Sequence, residues 1–538
     1  MFTVNNLTLQ FGKRVLFDEV NLKFTHGNCY GVIGANGAGK STFLNILTGE
    51  QDPNKGTVSL EQGKRLAVLS QDHFKFDEFN VLETVIMGYK ELYNIMKEKE
   101  AIYLKEDFSD ADGIKASELE EQYGEMGGWN AESDAAQLLS GLGVPEHYHW
   151  AQMGDLDNKY KVRILLAQAL FGNPDVLVLD EPTNDLDIQT ISWLEDFLLD
   201  FKNTVIVVSH DRHFLDTVCT YVADIDFGKI SLFTGNYTFW YKTSQLALSQ
   251  RTDQNKKNED KKKELQEFIA RFSANASKSK QATSRRKMLD KIDVESIKAS
   301  TRRYPALIWD QEREAGDQIL EVDKINSSNE EGKLLNDISF RMAKGDKIMF
   351  YSKDSKITSS LFQILSETEK ADSGEFNWGT TITKAYVPNE NREYFEGVNL
   401  DLVDWLRQYS EEKDEEFVRG FLGKMLFAGE EVKKKCGVLS GGEKVRCMLS
   451  RAMLQKPNVL ILDDPTNHLD LESITALNNS LTEYKGTILF TSHDHEFVQT
   501  IANRIVEITP KGIIDRMMPF DEYLASDKIK GLRDEMYA

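Results

Sequence analysis

Gly34-Ala-Asn-Gly-Ala-Gly-Lys-Ser-Thr42 fits G-x-x-x-x-G-K-[ST], with Gly34, Gly39, Lys40 and Ser41 at the fixed positions. The apolar run 29–33 leads into it, and residues 43–47 leave it with helical spacing. A strand entering and a helix leaving is the context that marks a phosphate-binding loop. Its glycines let backbone N–H groups crowd around phosphates, and the helix N-terminus adds positive potential. Lys40 is placed to reach β- and γ-phosphates, and the Ser41 hydroxyl to ligate Mg²⁺. Ala35, Asn36, Gly37, Ala38 and Thr42 complete the loop.

At 538 residues the chain is longer than one core usually serves, so two or more domains are expected. The net charge of −22 argues against a surface that wraps nucleic acid throughout, while leaving room for a local basic element. The first residues alternate like a strand, without the basic-then-apolar pattern of a secretion signal. No apolar run approaches the length of a membrane span, so a cytoplasmic protein is expected, not a self-contained transporter. Cys29, Cys219, Cys436 and Cys447 are scattered with no C-x-x-C pair, which points to buried reduced thiols.

Residues 1–240 alternate short Val/Ile/Leu-rich strands with amphipathic stretches, an α/β pattern. The strand 65–69 ends near Gln71, where such sheets place chemistry and where a side chain could sense Mg²⁺ and water. The strand 174–180 ends in Asp180 and Glu181. Asp180 suits Mg²⁺, and Glu181 suits orienting and polarising an attacking water. The strand 204–208 runs to His210, placed for a γ-phosphate contact. Between these motifs, residues 89–128 read as an inserted, acidic helical hairpin with a polar turn around 109–113.

Leu439-Ser440-Gly441-Gly442-Glu443 appears in the second half, ahead of a second strand ending in Asp463 and Asp464, and of His493. With the phosphate loop, Gln71, Asp180, Glu181 and His210, this set resembles the ATP-binding cassette family. Two such units, at 1–240 and 318–538, make the chain an internal repeat. Two cassettes with a charged linker at 241–317 are similar to the ABC-F family of ribosome-associated ATPases. The resemblance implies an α/β fold of two P-loop NTPase-type cassettes joined by a long helical linker, with ATP and Mg²⁺ as cofactors. It implies head-to-tail pairing of the cassettes within one monomer, each ATP lying between the loop of one and the signature of the other. It also implies that the linker lies near tRNA on the ribosome, with binding in or near the tRNA exit site.

Residues 241–289 turn polar and Lys-rich without proline or glycine, and a helix is expected over 241–272. Residues 271–287 carry six positive side chains and no negative one: Arg271, Lys278, Lys280, Arg285, Arg286 and Lys287. These suit contacts to RNA phosphates, rRNA or tRNA. A solvated spacer is the plain alternative.

The two halves differ in chemistry. Thr358 stands where Lys40 stands in the first half, and residues 352–357 hold no glycine. Asn329 takes the place of Phe11, a residue suited to stack on adenine, and Pro388 that of the glutamine. Asp464 replaces the glutamate. The first half carries Asp157-Asn158-Lys159-Tyr160 where the second has Ser440–Glu443. One composite site is therefore expected to be complete, with Phe11, Gly34–Thr42, Gln71, Asp180, Glu181 and His210 closed by Ser440–Glu443. The losses fall together on the other site. The rival readings are an ATP-dependent conformational factor with negligible turnover, an ATPase subunit of a transporter with separate membrane partners, and a DNA-associated cassette protein.

Overall fold

The computed structural model describes residues 2–12, 14–69, 72, 74–184, 186–272, 302–329 and 332–537. Each half is built on a six-stranded sheet and a three-stranded sheet. In the first half the six strands run in the order Leu66–Val68, Val176–Asp180, Thr204–Val208, Cys29–Gly34, Tyr221–Asp226, Lys229–Thr234. The first five pair in parallel and the last antiparallel. Parallel strands buried on both faces read as continuous apolar runs, as in Thr204–Val208, where every residue is buried. The second half repeats the order with Lys384–Val387, Val459–Asp463, Thr487–Thr491, Lys347–Tyr351, Arg504–Thr509 and Gly512–Arg516. The expected pair of α/β cassettes is borne out.

The antiparallel sheets carry the start of each half. Phe2–Phe11 lies between Arg14–Phe24 and Lys55–Leu60, and Leu320–Asn329 lies between Gly332–Met342 and Ser373–Trp378. The four cysteines are buried and free, as expected. The halves also exchange core residues. Ile188 of the first half packs in the second-half core with Met349, Trp405 and Leu469. Leu471 of the second half packs in the first-half core. Both residues directly follow the helix-capping aspartates Asp187 and Asp470.

Three boundaries differ from the sequence reading. The inserted hairpin is Lys90–Tyr103 and Asp110–Glu125, joined through 104–109, so 109–113 is not the turn. Ser109 caps the second helix: its Oγ accepts the Asp112 N–H at 3.2 Å, and the Ser109 N–H donates back to Asp112 at 3.1 Å. This reciprocal cap outweighs the polar composition that suggested a turn. The long linker helix is Tyr237–Phe272, four residues longer at its start than expected. Asn236 Oδ1 accepts the Phe239 N–H at 3.1 Å, and Tyr237 and Trp240 are buried in the first-half core. Thirty-six residues span about 54 Å at 1.5 Å each.

The third difference lies in 302–318, of which the sequence placed 302–317 in a helical linker. This stretch is not helical and straps along the second half. Ala306 N–H donates to Lys424 O, Glu312 N–H to Lys456 O, and Trp309 Nε1 to Ser480 Oγ. Several of its backbone groups bond to the second half, so tertiary contacts rather than helical turns fix the strap. Among the described residues, no helix is long and apolar enough to cross a membrane. Lys278, Lys280, Arg285, Arg286 and Lys287 lie outside the described residues, while Arg271 is in the final turn of Tyr237–Phe272.

Candidate ATP site

The phosphate loop joins the buried strand Cys29–Gly34 to the helix Lys40–Thr48. Gly37 has φ 74° and Gly39 φ 104°, in the left-handed region that side chains disfavour. A Cβ on Gly39 would lie 2.9 Å from the Phe17 ring. A Cβ on Gly34 would lie 2.9 Å from the Ile225 carbonyl oxygen. Lys40 Nζ folds back onto the loop and donates to Gly34 O at 2.8 Å. Burial lowers the Lys40 pKa, opposed by the carboxylates of Glu181, Glu472, Asp470 and Asp180. Ser41 and Thr42 follow Lys40 in the first helical turn. Phe11 is exposed and ends the strand Phe2–Phe11, paired with Arg14. Arg14 Nη2 donates to Gly37 O at 2.6 Å, so the hairpin carrying Phe11 is tied to the loop. The motif could not reveal Arg14, because that tie depends on the hairpin register.

Asp180 and Glu181 stand where the strand Val176–Asp180 runs out of the sheet. Glu181 has φ 51°, an uncommon setting for a residue with a side chain, fixed by its N–H donating to Val208 O at 2.8 Å. Its Oε2 accepts the His210 N–H at 3.1 Å, and His210 Nε2 lies 3.2 Å from its Oε1. Burial pushes the Glu181 carboxyl up to about 7 and the His210 imidazole down to about 3. The contact is therefore between a neutral imidazole and a carboxyl poised near neutrality, not a full ion pair. A carboxyl poised near the working pH suits general-base work. His210 Nδ1 is buried without a hydrogen-bond partner. Gln71 lies outside the described residues.

Ser440 caps the helix Gly441–Leu454, accepting the Glu443 N–H at 3.3 Å, while its own N–H donates to Glu443 at 2.9 Å. Glu443 also pairs with Lys434 at 2.7 Å. Gly442 lets the helix start pack on the 467–470 turn, since a Cβ there would lie 2.6 Å from His468 O. Ser440–Glu443 thus take their partners within the second half. From the second half, the carboxylates of Glu472 and Asp470 act on the charge of Lys40. Asp470 has a counterpart in Asp187, while Glu472 stands where the first half has Gln189, so the repeat offered no signal for it. A cavity of about 380 Å³ opens between the halves, lined by Asn36, Thr183, His210, Asp464, His468 and His493.

The matching loop of the second half is wound differently. The helix starts at Ser355, three residues earlier relative to its strand than the helix at Lys40. Ser355 and Ile357 occupy the places of Gly37 and Gly39 and take helical backbone. Thr358 is buried and bonds to Ser355 O within that turn. Ser359 Oγ donates to Asp463 at 2.7 Å, and Thr491 Oγ1 donates to the same carboxylate at 3.1 Å. Asn329 Oδ1 accepts the Gly332 N–H at 3.0 Å. Asp157, at the place of Ser440, makes no side-chain cap to the helix Asn158–Leu170.

A family model described as ABC transporter matches residues 17–184 and 335–467, and a second of the same description matches 223–307. The uncharacterized ABC transporter ATP-binding protein YkpA of Bacillus subtilis is 60% identical, covering 100% of both chains. The probable ATP-binding protein YbiT of Escherichia coli O157:H7 is 44% identical over 98% of this chain and 100% of its own. The energy-dependent translational throttle protein EttA of Escherichia coli K12 is 30% identical over 94% and 91%. The solved complex of archaeal ribosomal stalk protein aP1 with archaeal ribosome recycling factor aABCE1 aligns with TM-score 0.63 at 16% identity. It covers 99% of this chain and 98% of that one, a likeness of fold.

Proposed function

We propose that this chain, which belongs to the ABC transporter family of ATP-binding proteins, is an ABC-F type translation factor with one working ATP site. The observation that carries the reading is the asymmetry of the two loops. The first is an open glycine cradle around Lys40; the second has wound its place into a helical turn. The similarity to a protein named as a translational throttle supports a role on the ribosome.

In this reading ATP enters the first loop and Lys40 leaves Gly34 O for the β- and γ-phosphates. Phe11 stacks on adenine, and Arg14 keeps the hairpin against the loop. Ser41 and Asp180 would hold Mg²⁺, a hard ion suited to a hydroxyl and a carboxylate, with Gln71 completing the set. Bound there, it neutralises charge on the phosphates. Glu181 takes a proton from the attacking water, and His210 orients that carboxylate and faces the γ-phosphate. Ser440–Glu443 close over the nucleotide from the second half, and hydrolysis releases that closure. The monomer thus cycles its two cassettes, and the linker basic residues Arg271, Lys278, Lys280, Arg285, Arg286 and Lys287 meet rRNA or tRNA near the exit site.

The test is co-sedimentation of the Glu181→Gln protein with ribosomes, with and without ATP, across a salt series. ATP-dependent retention that weakens with salt is expected. Replacing the six basic residues with Ser flattens the dependence of log K on log salt by about 0.7 for each phosphate no longer neutralised. Retention that ignores both ATP and salt overturns the reading.

A further inference from the structure

Arg302 is the first described residue after the linker helix Tyr237–Phe272, and it sits between the halves. Its Nη2 is 2.6 Å from Asp224 and its Nη1 3.7 Å from Asp226, both at the end of the strand Tyr221–Asp226 in the first half. Its Nε donates to Glu472 of the second half at 2.9 Å. The guanidinium lies 4.6 Å over the Trp240 ring, in the first turns of the linker helix, and Trp240 Nε1 donates to Asp224 at 3.2 Å. The three carboxylates are largely shielded from water, with side chains 12%, 12% and 6% exposed, and all three gather around the one guanidinium. A buried carboxylate is costly unless a cation stays beside it.

Glu472 also belongs to the segment that meets the first loop, since His468, Leu469 and Ile474 line one cavity with Asn36 and His210. It lies two residues past Asp470, and both act on the charge of Lys40. Its Oε2 has no hydrogen-bond partner. Glu472 is thus bonded to the arginine at the linker's return and acts on Lys40 through its charge. Once Lys40 is engaged by phosphates, Glu472 stands near added negative charge, and Arg302 alone offsets it.

We propose that Arg302 is a positioning residue for ATP binding: it holds Glu472 and neutralises it, so that the linker base and the first ATP site form one electrostatic unit. The inference rests on the reading that ATP binds at Lys40. Coupling between two sites is reciprocal, so whatever draws on the linker at Arg302 changes ATP affinity, and ATP changes the hold on the linker. Only an arginine fits the position, because it bonds acids in two halves at once while stacking on an indole.

The experiment is equilibrium titration of the full chain with a fluorescent ATP analogue and Mg²⁺. Arg302→Gln is expected to raise the Kd about tenfold, and the double variant Arg302→Gln/Glu472→Gln to return it to within about twofold of wild type. A purely structural arginine gives no such rescue, since a second lesion adds to the first. Glu472→Gln alone, which keeps both Asp224 and Asp226 for the arginine, is expected to bind ATP as tightly as wild type or more tightly. An unchanged Kd in Arg302→Gln, an unrescued double variant, or weaker binding by Glu472→Gln overturns the proposal. If Arg302→Gln does not fold, the Glu472→Gln result decides alone. Lys40→Met separates the premise: if wild-type binding does not depend on Lys40, the reading of the site fails. Lys40-dependent binding without an Arg302 effect fails only this inference.

Discussion

Replacing Glu181 with glutamine lowers steady-state ATP turnover by about three orders of magnitude and leaves nucleotide binding intact, as measured by phosphate release and by titration. Glutamine keeps the length of the side chain and can still accept the His210 N–H that now bonds Oε2. The left-handed backbone at Glu181 is held by Val208 O and does not depend on the carboxylate. What is lost is the capacity to take a proton from water. Asp464, its counterpart, shares the unusual backbone with φ 47°, but its carboxylate accepts from Thr466 Oγ1 at 3.3 Å and faces a loop already wound into a helix. Asp464→Asn is therefore expected to change turnover by less than about twofold. Equal losses in the two variants would remove the functional asymmetry between the halves.

Gly39→Ala is expected to weaken ATP binding by more than about 100-fold and to cost about 1–3 kcal/mol in stability, read from the titration and from Tm. The residue sits at φ 104° with the Phe17 ring 2.9 Å from any added Cβ, so alanine meets both strain and collision. Its escape is to rotate into helical backbone, the conformation Ile357 takes at the equivalent place, and that rotation turns the N–H groups away from the cradle. Gly49→Ala is the matched control. It removes a left-handed glycine at φ 78° from the end of the same helix, where nothing lies within 4 Å of the new atom. It should cost about 1 kcal/mol and leave ATP binding unchanged.

The positions of Asp180, Glu181 and His210, the residues proposed for the chemistry, were legible because each follows a buried apolar run. Strands such as Val176–Asp180 announce themselves by composition, and the polar residue that ends them has only the carboxyl edge of the sheet to occupy. Aligning the repeat strand by strand then placed Thr358 opposite Lys40 and Asp464 opposite Glu181. Three things were not legible. The early helix start at Ser355 depends on which backbone Ser355 and Ile357 can adopt, and composition shows only that the glycines are gone. The strap at 302–318 has no periodicity because its hydrogen bonds go to the second half. Nothing in the sequence singles out Arg302 within its Arg-containing stretch; the fold sets it between Asp224, Asp226 and Glu472.

The exchange of Ile188 and Leu471 makes each half a lodger in the other's interior. Cut between the cassettes, each fragment would hold an apolar residue out to solvent and leave a vacancy where its guest had been. Two such fragments should find one another when produced together and aggregate when produced apart. Insertions, tags and permuted termini are accordingly tolerated at the hairpin tip around 104–109 and excluded from the neighbourhood of Asp187 and Asp470.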